Sequence, residues 1–280
     1  MAPLTQHQLD FFSEHGYLVL EKVFTANEVA SMQAESDYIL ELAINSSLAH
    51  KRLSRRLDWR LTSQGEHMVR KIQPINDLSL LFTQIAADQR LIGPLSQIMG
   101  EAPVLMEEKL NCKQPLPDKV EGLPIRRADD HFPIHNDWAY YRAQNYPQTI
   151  LSSALLIDDS SSDNGPLRIW PGSHRSHLEH EETDNGWQVK PTCIDHQGGM
   201  DMIAPAGSFM IFHVLLVHNS RPNTSGAPRR IMIYSHHPTS VEMPFDIRNG
   251  PTRLRESPYE REYLRLKLRD EFEDLFQAPR

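Results

Sequence analysis

Apolar residues recur at helical spacing in two segments near the N-terminus, and each segment opens with a capping pattern. Thr5 and Thr25 are each followed three residues later by Gln or Glu, which is the spacing of a capping box. The pattern predicts a short helix that stops at Gly16, a strand over residues 17–20, and a longer helix that reaches about Ile44. We therefore expect the N-terminal third of the chain to be mainly helical.

Alternating apolar and polar residues replace the helical spacing from about Val104 onward. Runs rich in β-branched and aromatic residues are separated by clusters of Pro, Gly, Asn and Ser, which is typical of antiparallel strands. These runs are VLMEEKLNC, TILSSALLI, PLRIW, MDMIA, SFMIF and RRIMIYSHH. The strands are short, their loops are uneven, and no helix-length segment separates them. The pattern therefore favours a jelly roll, the cupin-like double-stranded β-helix, over a parallel α/β sheet.

These segments predict one domain over residues 1–280, mainly β with flanking helices. Its parts are a mainly helical region over 1–103, the jelly-roll core over 104–240, and a tail over 241–280 where leucines return to helical spacing. The basic stretch KRLSRRLDWR, which begins at Lys51, has two interpretations. It is either a solvated helix face or an anion-attracting wall beside a pocket.

Charge and cysteine content narrow the classes of partner. The chain carries 29 Lys and Arg against 37 Asp and Glu, a net charge of −8, which argues against binding to nucleic-acid phosphates. The longest apolar run, FMIFHVLLV, is far shorter than the roughly 20 residues of a membrane-spanning helix, so we expect no membrane association and no targeting segment. Cys112 and Cys193 do not make a disulfide framework, so we expect free thiols and a cytoplasmic location.

Fourteen histidines make any single histidine motif weak, so each grouping is judged by its surroundings. His174, His177 and His180 follow a Pro-Gly turn among Ser, Arg and Glu. A solvated loop is favoured there, because neither a Cys nor a carboxylate completes a metal site. His236 and His237 would point to opposite faces of a strand and could not share one metal.

A third grouping has the pattern of a metal site: His135 and Asp137 in FPIHNDW, with His218 in LLVHNS. A spacing of two on an extended segment places both side chains on one face, and a neighbouring strand can supply the third ligand. Two imidazoles and one carboxylate on one side of a metal form the facial triad of non-haem Fe(II) oxygenases. Alone the pattern is weak, since a buried histidine or an aspartate in a turn is the commoner explanation.

The strand after the last of these histidines adds a second element of chemistry. Arg229 shares a face with Ile231 and Ile233, so if the isoleucines face the interior, Arg229 does too. A buried arginine needs an anionic partner, and its planar fork suits bidentate binding of a dicarboxylic co-substrate. An internal salt bridge is the alternative, because Asp and Glu are plentiful in the chain.

Three longer strings carry a resemblance to a known family. They are TQHQLDFFSEHGYLVLEKVFTANEVASM, DDSSSDNGPLRIWPGSH and HNSRPNTSGAPRR. With HNDW, they make the chain similar to the phytanoyl-CoA dioxygenase family of Fe(II)- and 2-oxoglutarate-dependent oxygenases over most of its length. The resemblance implies Fe(II) as the cofactor, with His135, Asp137 and His218 as its ligands. It also implies O₂ as the oxidant and 2-oxoglutarate as a co-substrate held by Arg229 with help from Ser220.

The chain departs from the family's pattern at a few positions. Asn136 stands where members often have Gln, and Ile134 where they often have Trp or Pro, but neither residue is a ligand. The stretch over 113–130 is longer than we expect for the family, so no substrate is transferred by analogy. Asn164 and Gly165 have the character of turn formers, and we assign them no chemistry.

Polar residues alternate along the strand that opens the jelly roll. Glu107, Lys109, Asn111 and Lys113 share one face, which predicts pocket lining, with a solvated sheet edge as the alternative. We take Asn111 and Lys113 from this face as further candidates for co-substrate binding.

Together these features predict an Fe(II)- and 2-oxoglutarate-dependent dioxygenase that hydroxylates an unactivated C–H bond of a small molecule and releases succinate and carbon dioxide. Desaturation, epoxidation and ring formation stay open as variants. One alternative is a non-redox metal-binding jelly roll, for instance a zinc-loaded module, which would keep the triad but would not need Arg229. Another is a purely structural β-domain, which would leave all four polar residues coincidental.

Residues near the expected mouth of the pocket bear on the substrate. Basic side chains there favour a molecule that carries a carboxylate or a phosphate. They are Arg126, Arg127, Lys109 and Lys113. Aromatic side chains could pack a flat or apolar body. They are Trp138, Tyr140, Tyr141 and Trp170.

Overall fold

The computed structural model describes residues 2–63, 65–116, 123, 125–128, 130–243 and Glu260. The helices are α1 (Gln6–His15), α2 (Ala26–Ala49), α3 (Leu80–Ala86), α4 (Gln89–Met99) and α5 (Trp138–Tyr141). The strands are β1 (Tyr17–Leu20), β2 (Leu57–Leu61), β3 (His67–Ile72), β4 (Pro103–Pro115), β5 (Arg126–Arg127), β6 (Phe132–His135), β7 (Leu151–Leu156), β8 (Leu167–Ile169), β9 (His180–Thr183), β10 (Gly186–Val189), β11 (Met200–Asp201), β12 (Phe209–His213), β13 (His218–Ser220) and β14 (Arg230–Pro238).

Two sheets and one hairpin organise these strands. The larger sheet has eight strands in the order β1-β12-β7-β14-β4-β3-β2-β5, the smaller has the order β11-β8-β13-β6, and β9 pairs with β10. Neighbouring strands are antiparallel except β2 and β5, which are parallel. Apolar side chains from both sheets meet in one core. The arrangement confirms the predicted jelly roll, mainly β with flanking helices.

The two faces of strand β14 pack into two different hydrophobic cores. Ile231 and Ile233 face the interior between the sheets. Met232 and Tyr234 face the other way, into the core that the larger sheet shares with the N-terminal helices. Burying an apolar side chain of this size stabilises the fold by about 1.5–3 kcal/mol. A shift of the strand by one residue would move all of these side chains to the opposite face and is therefore strongly disfavoured. Arg229 directly precedes the strand and lies two residues before Ile231, so it is on the same face as the interior residues.

The N-terminal elements begin as predicted. The side chains of Thr5 and Thr25 accept backbone hydrogen bonds three residues on, and both capping boxes are complete. Helix α1 ends at Gly16, whose φ of 78° is a left-handed conformation that costs glycine little. Strand β1 has the predicted bounds. Helix α2 is longer than predicted and continues to Ala49, because side chains of its last turns, such as Ser47, stay buried.

The stretch that begins at Lys51 contradicts the predicted solvated helix face. It forms turns and then strand β2, so the region predicted to be mainly helical contains, besides β1, two strands that the sequence does not predict, β2 and β3, and both belong to the larger sheet. Arg56 is buried against Asp77 at 2.6 Å, and Arg60 against Asp58 at 2.5 Å. These ion pairs explain the error, because a run of basic residues in the sequence does not show which of them have carboxylate partners inside the fold.

Part of the chain lies outside the described residues. The predicted helical tail over 241–280 is one such part, apart from residues 241–243 and Glu260. Glu260 has helical backbone, and its carboxylate accepts a hydrogen bond from Nε of Arg56 at 3.2 Å. The long stretch over 113–130 is described only in part.

The sequence predicts that both cysteines are free thiols and that the protein does not associate with a membrane. Cys112 is buried and Cys193 half-buried, and both are free, which confirms the prediction of free thiols. Within the residues described above, no helix combines the length and the apolar character that crossing a membrane requires.

Candidate active site

Two neighbouring strands of the smaller sheet bring the predicted metal ligands together. His135 is the last residue of β6 and His218 the first of β13, and the two stand opposite each other in the antiparallel register. Asp137 comes two residues after His135, and its Oδ1 lies 3.8 Å from Nε2 of His135 and 3.7 Å from Nε2 of His218. One ligand atom from each residue lies within 4.8 Å of the others, so the three could hold one metal ion.

Backbone carbonyl groups fix the orientation of both imidazole rings. Nδ1 of His135 donates to the carbonyl of Pro133 at 2.7 Å, and Nδ1 of His218 donates to the carbonyl of Leu216 at 2.9 Å. With Nδ1 as the donor, Nε2 keeps the lone pair that a metal requires. Burial, together with the neighbouring His218, lowers the pKa of His135 to about 3, so this ring is neutral at pH 7.

The third candidate ligand, Asp137, is held as a carboxylate. Burial works to raise the pKa of Asp137, but Lys109 and the two histidines outweigh it and keep the pKa below its ordinary value. The hydroxyl of Ser152 donates to Oδ2 of Asp137 at 3.5 Å and lies 2.9 Å from the hydroxyl of Ser235. Oδ1 is the oxygen that faces both histidines. Two imidazoles and one carboxylate are a donor set that fits Fe(II).

A cavity of about 230 Å³ opens beside these residues. Phe212, Ile231 and Ile233 form an apolar part of its wall. Positive side chains outnumber negative ones in the lining, with Arg70, Lys71, Lys109 and Arg229 against Glu107 and Asp137. The predicted lining face of β4 is thus confirmed for Glu107, Lys109 and Asn111.

Arg229 enters the cavity on the face that the alternation predicts. It is 2% exposed, and its Nε and Nη2 donate to the carbonyl of Gly165 at 3.0 and 2.6 Å. Burial lowers its pKa to about 10, so it is still charged at pH 7. Among the described residues, no carboxylate lies within 4 Å of its guanidinium group. Arg230 points the other way and pairs with Asp158 at 2.7 Å and Asp37 at 2.8 Å, so the internal salt bridge belongs to Arg230.

The loop before β8 supplies the carbonyl group that holds Arg229. Gly165 has a φ of +71°, and a Cβ at this position would lie 2.6 Å from the carbonyl oxygen of Arg221. Glycine alone suits both the conformation and the space. The predicted turn is confirmed, since Asn164 accepts the N–H of Ser161 at 3.0 Å. The contact with Arg229 was missed because a backbone carbonyl leaves no signal in the residue pattern.

The other predicted co-substrate contacts divide into two kinds. Ser220 and Asn111 line the cavity, and Oγ of Ser220 and Oδ1 of Asn111 are buried without a hydrogen-bond partner in the described part of the chain. Such atoms are costly unless a ligand satisfies them. Lys113 lies outside the lining, fully buried, with its Nζ donating to the carbonyl of Arg221 and 3.9 Å from Asp130. Co-substrate binding by Ser220 and Asn111 stays a prediction. Lys113 does not line the cavity, so the structure does not favour a contact between it and the co-substrate.

The first histidine grouping differs from the predicted solvated loop. His180 is buried in β9, its Nε2 accepts the backbone N–H of Asn136 at 3.3 Å, and its ring stacks on that of His177 at 4.9 Å. The hairpin β9-β10 packs against β6, which is why this segment is not a free loop. Through His180, the hairpin holds the backbone of Asn136, the residue between His135 and Asp137. His236 is buried and His237 half-buried, as expected for opposite faces of a strand.

Several substrate-site predictions are corrected by the position of the side chains. Arg127 is exposed on β5 and does not line the cavity. Trp138 and Trp170 pack in separate apolar clusters, whereas Tyr140 and Tyr141 do line it. Of the predicted basic residues, Lys109 lines the cavity, and Arg70 and Lys71 of β3, a strand that the sequence does not predict, line it as well.

The chain is similar to known proteins in sequence and in fold. The model of the phytanoyl-CoA dioxygenase (PhyH) family matches residues 12–231. The chain is 25% identical over 246 residues to ectoine dioxygenase of Halomonas elongata, covering 81% of this chain and 68% of that protein.

Two solved structures share the fold of this chain. The crystal structure of EctD from S. alaskensis with 2-oxoglutarate and 5-hydroxyectoine gives a TM-score of 0.65 at 23% identity, covering 89% of this chain and 82% of that one. The epimerase SnoN in complex with Fe³⁺, alpha ketoglutarate and nogalamycin RO gives a TM-score of 0.63 at 19% identity, covering 90% of each chain.

Proposed function

Because the chain belongs to the phytanoyl-CoA dioxygenase family and is an Fe(II)- and 2-oxoglutarate-dependent dioxygenase, we propose that it hydroxylates an unactivated C–H bond of a small molecule. Fe(II), when bound, would supply the oxidising chemistry, and the co-substrate 2-oxoglutarate would be converted with O₂ to succinate and carbon dioxide. One observation carries the proposal: a single cavity joins the three candidate ligands to Arg229. A chelating dicarboxylic acid needs both features at once.

The chain's own residues bind and orient the reactants. Nε2 of His135, Nε2 of His218 and Oδ1 of Asp137 bind Fe(II). Arg229 makes a charge-assisted pair with the distal carboxylate of 2-oxoglutarate, and the hydroxyl of Ser220 donates to the same group. The apolar part of the wall excludes water from the space beside the metal, which strengthens these charge interactions.

We also propose that the substrate carries a carboxylate or a phosphate group. The cavity of about 230 Å³ also has to hold 2-oxoglutarate, so the substrate is small. Cationic side chains outnumber anionic ones in the lining, and Arg229 is taken by the co-substrate. The remaining surplus of positive charge favours an anionic substrate.

Succinate release from 2-oxoglutarate tests the proposal. The purified chain is supplied with Fe(II), O₂ and a panel of small carboxylates and phosphates, and products are identified by mass spectrometry. We expect Fe(II)-dependent succinate release that a substrate stimulates, and a product that has gained one oxygen atom. Zn²⁺ has no redox chemistry and should inhibit while bound. Undiminished turnover with Zn²⁺ alone would contradict the proposal and favour a non-redox metal protein.

A further inference from the structure

Two buried arginines share one carboxylate beside the cavity. Nε of Arg60, on β2, donates to Oδ1 of Asp58 at 2.5 Å. Nε and Nη2 of Arg70, on β3, donate to Oδ2 of the same carboxylate at 2.9 and 2.7 Å. The arginine side chains are 9% and 5% exposed, so little water screens them. The group carries two positive charges and one negative charge.

The surplus positive charge has no other partner among the described residues. No second carboxylate lies within 4 Å of either guanidinium group, and Nη1 of Arg60 is buried without a hydrogen-bond partner. Glu107, a carboxylate of the cavity wall, is already paired with Lys109 at 3.1 Å. An uncompensated charge is costly to bury. The arrangement therefore suits an anion that arrives with a ligand.

Arg70 is the member of this group that reaches the cavity. Its Nη1 donates to the carbonyl of His131 at 2.9 Å, and its guanidinium carbon lies 4.3 Å from the centre of the Phe132 ring. Phe132 opens strand β6, which ends at the first candidate metal ligand. These contacts fix the guanidinium group in place. They use three of its five N–H groups, so two remain for a ligand.

We propose that Arg70, supported by Arg60 and Asp58, binds an oxyanion group of the substrate. The assignment rests on the proposed function, because it takes this cavity as the substrate site, and it names the residue that recognises the substrate. A surplus of one positive charge matches a group with one negative charge, which is a carboxylate. A phosphate monoester carries closer to two charges and would need the neighbouring Lys71 as well.

Anion binding to the loaded protein tests this assignment without knowledge of the substrate. Isothermal titration calorimetry is run without oxygen on protein holding Fe(II) and saturated with 2-oxoglutarate, so that Arg229 is occupied. The probes are acetate, inorganic phosphate and uncharged acetamide. We expect acetate or phosphate to bind and acetamide not to bind. Arg70→Gln should weaken the binding of the anion by at least about tenfold, the loss of one charge-assisted contact.

Two further variants separate charge from contact. Arg60 does not line the cavity, yet Arg60→Gln should also weaken anion binding, because Asp58 then neutralises Arg70. Arg127→Gln is the matched control, an exposed arginine of β5, and should leave binding unchanged. Arg70→Gln leaves Asp58 paired with Arg60, so we expect it to fold, and circular dichroism checks this. Arg70→Lys keeps the charge and should bind with intermediate affinity.

The outcomes distinguish the two proposals. A preference for acetate identifies the group as a carboxylate, and a preference for phosphate identifies it as a phosphate. If 2-oxoglutarate binds normally but no anion binds, the proposed role of Arg70 is wrong and the proposed function stands. The same holds if Arg127→Gln and Arg70→Gln lose equal amounts of anion affinity. Failure of 2-oxoglutarate to bind the iron-loaded protein overturns the proposed function instead.

Discussion

Replacing Arg229 by alanine should weaken the binding of 2-oxoglutarate far more than the same change at Arg230. The guanidinium group is buried and is held by the Gly165 carbonyl, and no carboxylate within the described part of the chain forms an ion pair with it. Its loss leaves the distal carboxylate of the co-substrate buried and unpaired. Removing one partner of such a pair costs about 2 to 5 kcal/mol. We therefore expect the apparent KM for 2-oxoglutarate to rise by about 30-fold to over a thousandfold.

Arg230 provides the control, because it is the adjacent residue and carries the same group. It pairs with Asp158 and Asp37 on the side of the sheet that faces the helices. Arg230→Ala should lower the free energy of unfolding by about 3 kcal/mol, since it leaves a largely buried carboxylate unpaired. The KM for 2-oxoglutarate should stay within about twofold of the original value.

Initial rates of succinate release against 2-oxoglutarate concentration, at saturating Fe(II), measure both effects. Urea unfolding measures the stability of each variant. Arg229→Lys keeps the charge without the planar fork, and its KM should fall between those of the original protein and Arg229→Ala. A larger rise of KM in Arg230→Ala than in Arg229→Ala would refute the reasoning, because the alternation along β14 would then be out by one residue.

Three other predictions concern the metal ligands, the Gly165 loop and acid stability. Alanine at His135, Asp137 or His218 should abolish Fe(II) binding and turnover while the circular dichroism spectrum is kept, and full activity in any one variant would remove that residue from the ligand set. Gly165→Ala should raise the KM for 2-oxoglutarate, because its Cβ would lie 2.6 Å from a neighbouring carbonyl oxygen, and an unchanged KM would show that the loop does not position the arginine. Burial lowers the pKa of His236 to about 4 in the folded state, whereas the unfolded chain takes up its proton near pH 6.5. The metal-free protein should therefore lose about 3 kcal/mol of stability through this residue as the pH falls from 6.5 to 4, and urea unfolding of His236→Phe should show a correspondingly smaller loss.

Features set by neighbours along the chain were predictable from the sequence. The capping boxes at Thr5 and Thr25 depend on residues three positions apart, and both are present as predicted. The inward direction of Arg229 follows from the two-residue period of a strand. The approach of His135 to His218 required only that their strands be neighbours.

Features set by partners distant in the sequence were not predictable. Arg60 and Arg70 are buried because both reach Asp58, and the strand pairing that brings them together is a tertiary contact. The solvated helix face, one of the two interpretations of the basic stretch, is therefore wrong. No residue of this stretch lines the cavity, so the alternative of an anion-attracting wall stays unconfirmed, although Arg60 of β2 shares Asp58 with Arg70, which does line it. The Gly165 carbonyl was also missed, because any residue carries a backbone carbonyl.

The pairing of β6 with β13 also determines when the chain can acquire a metal during its synthesis. His135 and Asp137 leave the ribosome long before His218, and the strands β7 to β12 must be made in between. A nascent chain that ends before His218 contains only two of the three proposed ligands. Stable iron loading therefore has to wait until nearly the whole jelly roll has been translated. Bound metal would mark chains that extend past His218, and chains terminated before it would stay without metal.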